Sequence, residues 1–232
     1  MVERSTAYVA QHWREPDNGI WEMRAAPRHF VHSKALCWVA LDRALKLADL
    51  AGINRDLSAW HRARQEIYSS LLEDGFNSEV GAFVQYYGAS ALDASLLRLP
   101  KLGVIPATDP RMRSTIEQIK RRLVRNGLVY RYRDTDDGLP GDEGAFAMCT
   151  FWLSDNEALL GHVHEAEDLF RHVLSFANDV GLLAEEIQPG SGAQLGNFPQ
   201  AFTHIALINS AMRLAAALQG TKSAMQAMHK RK

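Results

Sequence analysis

The chain has 232 residues, 47% hydrophobic and 23% charged, so it can bury a core and lacks the composition of a disordered segment. Lysine and arginine total 26 against 27 aspartates and glutamates, a net charge of −1 without the basic excess of a protein built to coat nucleic acid. Two cysteines exclude a disulfide scaffold, and the opening MVERSTAYVAQHW lacks the basic start and apolar stretch of a secretory signal, which fits a cytoplasmic location.

Helical periodicity dominates from the start. A short helix is expected before Trp13, and another over residues 33–50. There Asp42, Arg43, Lys46 and Asp49 read as the solvent side, Leu36, Val39 and Ala40 as the buried side, and Asp42–Lys46 as a favourable i,i+4 pair. Leu57, Trp60, Ala63, Ile67 and Leu71 form the next stripe, and a short helix is expected near 90–99. Asp109 is an N-cap and Pro110 suits the first turn of a helix whose inner face is Met112, Ile116, Ile119 and Leu123. Asn126-Gly127 is expected to close that helix behind Arg121, Arg122 and Arg125. Helices follow over 144–160 and 164–178, the latter with Leu169, Phe170, Val173, Leu174 and Ala177 on one face. The last, over 199–218, is apolar on most sides, but His204, Asn209 and Arg213 make the segment a poor membrane span. Residues 221–232 read as a polar, basic and disordered tail, and only 82–87 and 128–133 look like strands. About eight helices joined by alternating short and long connections predict an all-α toroid or bundle occupying residues 1–220.

Several conspicuous residues have bland explanations. The basic run IKRRLVR fits a solvated helix end better than a nucleic-acid patch, given the neutral total charge. His29-x-x-His32 and His162-x-His164 are close pairs without cysteines or carboxylates at ligand spacing, so no metal is expected and the histidines read as surface or supporting groups. Asp142-Glu143 lacks the alternating ligands of a calcium loop, and Gly138, Gly141 and Gly144 lack the Lys-Ser/Thr ending of a phosphate loop. Cys37 and Cys149 read as small buried hydrophobes, and Trp38, Trp60 and Trp152 as core.

Three long connections gather the remaining chemistry: PDNGIWEMR with PRHF behind it, RYR through GDEGAF, and GLLAEEI through GSG to LGNFPQ. Loops of this length inside a compact helical domain tend to be functional. Glycoside hydrolysis needs two carboxyl groups across the scissile bond, one protonated. A tryptophan beside the acid offers a ring for a sugar and an apolar wall. Glu22 beside Trp21 fits the acid, and Glu185 or Glu186 could serve as base. On composition alone the rival reading of Trp21-Glu22 is an interfacial anchor next to a solvated carboxylate.

The ordered set PDNGIWEMR…PRHFVHSKALCWVALDRALKLA, RYRDTDDGLPGDEGAFAMCTFWL and NDVGLLAEEIQPGSGAQLGNFPQAFTHIALINSA resembles glycoside hydrolase family 15, the glucoamylase and bacterial trehalase family of inverting α-glucosidases. The resemblance runs from about Trp13 to Leu218. It implies an (α/α)6 toroid, represented here by its C-terminal helices with the N-terminal ones missing. It places the general acid on Glu22 and the general base on Glu185, the first glutamate of AEE. Substrate contacts then fall on Ile20, Trp21, Arg24, Arg131 and Glu186, with Phe202 a looser match. Met23 stands where fungal glucoamylases carry a second glutamate. The implied substrate is a small carbohydrate, trehalose or the non-reducing end of an α-glucan, with no cofactor, nucleic acid or membrane involved. A separately encoded N-terminal part or a homo-oligomer would supply the missing wall of the pocket. The alternative is a truncated, non-catalytic helical remnant or a partner-binding fragment of such an enzyme.

Overall fold

The computed structural model describes residues 2–53, 56–133 and 143–229, with the backbone alone described for 221–229. Gly138, Gly141 and Asp142, weighed above as parts of ion or phosphate loops, lie outside the described residues. The described residues divide into two compact units, 2–118 with 132–133, and 119–131 with 143–229.

In the first unit, α1 (Val2–His12), α2 (Val31–Leu50) and α3 (Ser58–Glu73) pack on one another. The two-residue strands β1 (Phe76–Asn77) and β2 (Ala82–Phe83) pair antiparallel, and a 3₁₀ turn (Ala94–Arg98) leads into α4 (Leu99–Leu102). The α3 stripe is as expected, with Trp60, Ala63, Ile67 and Leu71 buried. On α2 the expected face is wrong. Leu36 is 42% exposed while Asp42 is only 3% exposed. The reason is charge pairing: Asp42 takes Lys46 Nζ at 2.8 Å, Arg64 Nη1 of α3 at 3.1 Å, and Arg43. Burial pushes the Asp42 carboxyl up, yet Lys46 and Arg43 together hold it below its ordinary range. A carboxylate that well compensated can sit inside.

The helix expected after Asp109 is α5 (Pro110–Leu123), and Met112, Ile116, Ile119 and Leu123 are all buried on it. Each such side chain contributes about 1.5–3 kcal/mol relative to exposure. Asp109 Oδ1 accepts the Arg111 N–H at 2.9 Å, the expected cap. Asn126-Gly127 does not close the helix, however. It turns a hairpin between β3 (Val124–Arg125) and β4 (Leu128–Val129), with φ of 50° and 75° at its two residues. Positive φ at both central positions is what a tight hairpin of this twist needs, and Asn-Gly supplies it at little cost.

In the second unit, β5 (Ala145–Phe146) precedes α6 (Ala147–Leu159), and α7 (Val163–Leu174) follows. β6 (Glu186–Ile187) and β7 (Gln194–Leu195) complete an antiparallel sheet of order β5-β6-β7. α6 is buried along almost its whole length, Cys149 included, and packs on α7 and on α8 (Ala201–His229). α8 begins as expected but continues past Leu218, so its helix takes in most of the segment read as a disordered tail. It presents Thr203, Ala206, Ser210 and Leu214 inward, while Phe202, Ile205, Ile208 and Met212 are exposed. By length and composition alone, residues 201–220 could also cross a membrane, which the interruptions noted above had argued against.

Candidate active site in two loops

The first loop joins α1 to α2 and is tied off by an antiparallel bridge, Asp17 N–H to Arg28 O at 2.9 Å and Arg28 N–H to Asp17 O at 2.8 Å. Within that neck the chain closes on itself. Asn18 Nδ2 donates to Met23 O at 2.7 Å, and the Met23 N–H donates to Asn18 O at 2.9 Å. Asp17 Oδ1 accepts the Gly19 N–H at 2.6 Å and Ser33 Oγ at 2.8 Å, fastening the loop to the first turn of α2. Within this ring Glu22 sits in the left-handed region at φ 52°. That conformation is uncommon outside glycine and collects at functional positions.

Side chains separate sharply by exposure. Met23 is buried with Phe30 and Tyr132, and Trp21 and Tyr86 pack against that cluster. Met23 therefore anchors the loop from inside. Ile20 is half-buried, whereas Glu22 and Arg24 are exposed. The Trp21 indole N–H is bifurcated onto the carboxylate of Asp93, 3.0 Å from Oδ1 and 2.9 Å from Oδ2. Asp93 is buried, which pushes its pKa up, against the pull of the Ser95, Trp21 and Gln85 donors. Sequence reading missed Asp93. The only signal was Asp-Ala-Ser before an apolar run, an N-cap pattern that says nothing of tryptophan.

The second loop system carries Arg131, Glu185 and Glu186. Glu186 lies in β6, opposite Phe146 on one side and Leu195 on the other. Its Oε2 accepts the Gly144 N–H at 3.0 Å. Burial pushes the Glu186 pKa up, Gly144 and Arg131 pull it down, and neighbouring Glu185 adds to the rise. Arg131 is ion-paired with Glu143 and lies over the Phe146 ring at 5.4 Å, so it is held rigidly near this carboxylate pair.

Glu185 is half-buried, and Asn197 grips its carboxylate. Asn197 donates its backbone N–H at 3.1 Å and its Nδ2 at 3.0 Å to Glu185 Oε2, while the Glu185 N–H donates to Asn197 O at 3.0 Å. Gly196 is required beside it: a Cβ there would sit 2.8 Å from Glu185 Oε2, and its φ is 73°. Asn197 was not singled out as a site residue, although it lies inside the LGNFPQ motif. Phe202, in the first turn of α8, is 64% exposed. Thus Ile20, Trp21, Glu22 and Arg24 share the loop of the first unit, and Arg131, Glu185 and Glu186 gather in the second.

The fold brings together a carboxylate–histidine cluster that the spacing of the histidines did not reveal. Glu157, His162 and Glu165 bring ligand atoms within 4.8 Å of one another. The Lys120 ammonium already occupies this cluster, 3.1 Å from Glu157 Oε1 and 2.6 Å from Glu165 Oε1. His32, read as a surface or supporting group, is instead a core residue, 2% exposed.

Glycoside hydrolysis uses two carboxyl groups, and each unit presents carboxylates on a long loop, Glu22 in the first and Glu185 and Glu186 in the second. The chain belongs to the glycosyl hydrolases family 15, whose model matches residues 1–212. Among its relatives, a trehalase of Mycobacterium tuberculosis is 48% identical over 92% of this chain and 32% of its own length. A trehalase of Thermoplasma volcanium is 42% identical over 94% of this chain and 35% of its own length. The chain therefore spans about a third of the length of these curated relatives. Among solved structures, glucoamylase from Saccharomycopsis fibuligera superposes with a TM-score of 0.79 at 12% identity, covering 93% of this chain and 61% of that one. A bacterial glucoamylase complexed with acarbose gives 0.74 at 18% identity, covering 92% and 37%. These likenesses establish the fold, part of the (α/α)6 toroid class expected from the motifs.

Proposed function

We propose that this chain carries the acid and base loops of an inverting α-glucosidase acting on trehalose. Glu22 protonates the glycosidic oxygen, and Glu185 takes a proton from the water that attacks the opposite face of the sugar. Trp21 and Ile20 wall the glycone site, Arg24, Arg131 and Glu186 bind hydroxyl groups, and Phe202 borders the pocket. This chemistry needs no metal or cofactor. The observation that carries the reading is Glu22 itself, an exposed carboxyl at φ 52° directly after a tryptophan fixed by a buried aspartate. Trehalose is favoured over α-glucans because identity to trehalases reaches 48%, against 18% for the bacterial glucoamylase structure.

The matched relatives are about three times as long, so we assign the rest of the pocket to a preceding N-terminal part of the family's domain. The exposed Phe202, Ile205, Ile208 and Met212 on α8 offer that part an apolar face. A cytoplasmic location, without nucleic-acid or membrane partners, belongs to the same proposal. Trehalose hydrolysis by the intact gene product, abolished in Glu22→Gln and Glu185→Gln, is the test. Turnover at the wild-type rate in either variant would remove that residue from its role. Folded protein without α-glucosidase activity would favour the alternative, a non-catalytic helical remnant.

A further inference from the structure

Asp93 is a buried carboxylate that accepts a hydrogen bond from the acid loop through Trp21. Ser95 N–H donates to Oδ1 at 2.7 Å and Gln85 Nε2 to Oδ2 at 3.1 Å, so the group is oriented from behind by uncharged donors. The supports are themselves fixed. The Gln85 carbonyl accepts the Val31 N–H at 3.1 Å and its N–H donates to Ala91 O at 2.9 Å, while the Asp93 backbone bridges to Tyr132. The free direction is filled by the Trp21 indole, whose N–H spans both carboxylate oxygens at 3.0 and 2.9 Å. All of these contacts satisfy an ionised carboxylate, which is acceptor-only; a proton on Asp93 would have to face one of these donors.

Trp21 is the residue immediately before Glu22, and Glu22 holds a φ of 52° that its side chain does not favour. The backbone bond at this turn is long, Glu22 N–H to Gly19 O at 3.3 Å, so the ring of the loop does not by itself enforce the conformation. A strained residue persists where its surroundings over-determine it. The indole clamp supplies the missing restraint one residue away. We infer that Asp93 is a positioning residue for the acid: its buried carboxylate grips Trp21 and, through that side chain, holds the left-handed turn that presents Glu22. This inference rests on the reading of Glu22 as general acid.

The test compares Trp21→Phe, Asp93→Asn and the double variant in the intact gene product, with kcat and KM for trehalose as readouts. Misplacing an acid costs chemistry more than binding, so each single variant should lose about tenfold to a hundredfold in kcat. KM in Asp93→Asn, whose side chain lies behind Trp21 and is given no substrate contact, should stay within about threefold. Because both changes break one linkage, the double variant should be no worse than the worse single. Effects that multiply, or Asp93→Asn with wild-type kcat, would overturn the inference. A second readout stands if Asp93→Asn does not fold. In ¹⁵N-labelled wild-type protein the indole N–H signal lost in Trp21→Phe should lie downfield and exchange slowly, as a proton held by a carboxylate does. A solvent-like, rapidly exchanging indole would also overturn it. Glu22→Gln is the control. Full turnover in that variant would sink the acid assignment and the inference together, whereas inactive Glu22→Gln beside unaffected Asp93→Asn removes the inference alone.

Discussion

Protonation of His32 should make the first unit sensitive to mild acid. The ring sits in the first turn of α2, 2% exposed, with neither nitrogen hydrogen-bonded. Burial, with a smaller contribution from Arg98, pushes its pKa down from 6.5 to about 3. A base with a lowered folded pKa contributes its full stability above the unfolded value and loses it as pH falls from about 6.5 toward 3. Integration between those two values gives a loss of about 2 kcal/mol at pH 5 and about 5 kcal/mol once both states are protonated. His32→Leu keeps a similar volume, abolishes the titration and removes two unsatisfied nitrogens, worth about 1–3 kcal/mol at any pH. Urea unfolding followed by tryptophan fluorescence, which draws on Trp13, Trp21, Trp38 and Trp60 in this unit, would be run from pH 5 to pH 8. The other titrating groups cancel in the difference between variant and wild type. That difference should widen by about 2 kcal/mol on going from pH 8 to pH 5. Parallel curves would refute the account of His32 as a neutral, unpartnered core group.

Three further outcomes follow from the same contacts. Gly196→Ala should displace the Glu185 carboxylate, since the new Cβ would meet Oε2 at 2.8 Å; we expect at least a tenfold loss of kcat and about 1–2 kcal/mol of stability, read by kinetics and melting. Lys120→Met should leave Glu157, whose side chain is 1% exposed, short of its ammonium partner. The expected cost is about 1–3 kcal/mol by urea titration, discounted from a fully buried pair because Lys120 is 28% exposed. Replacing Ile205 and Ile208 by lysine should improve solubility of the isolated chain and weaken assembly with an N-terminal part of the domain, measured by co-purification; unchanged assembly would move that interface off α8.

Legibility in the sequence followed the range of the interaction. The inner faces of α3 and α5 were readable because apolar residues three and four apart declare a buried stripe without help from elsewhere. The face of α2 was not, because Asp42 is neutralised partly by Arg64, a cation on the next helix that no local pattern reveals. Asn126-Gly127 was read as a helix stop when it is a hairpin turn; both uses want positive φ, and pairing of Val124 with Val129 decides between them. Glu22 and Glu185 came from motif order, which carries the family's chemistry in runs of consecutive residues. Asp93 and Asn197 act across 72 and 12 positions respectively, through side-chain hydrogen bonds that leave no periodic trace. The cluster of Glu157, His162 and Glu165 was hidden for a related reason, since the lysine that fills it comes from α5.

The central claim is that Glu22 and Glu185 perform an inverting hydrolysis, and the anomer released tests it most directly. Proton NMR of trehalose cleaved by the intact gene product, recorded before mutarotation, should show α- and β-glucose in equal initial amounts. Both signals should vanish in Glu22→Gln and in Glu185→Gln. Release of α-glucose alone, or undiminished hydrolysis in either variant, would contradict the account.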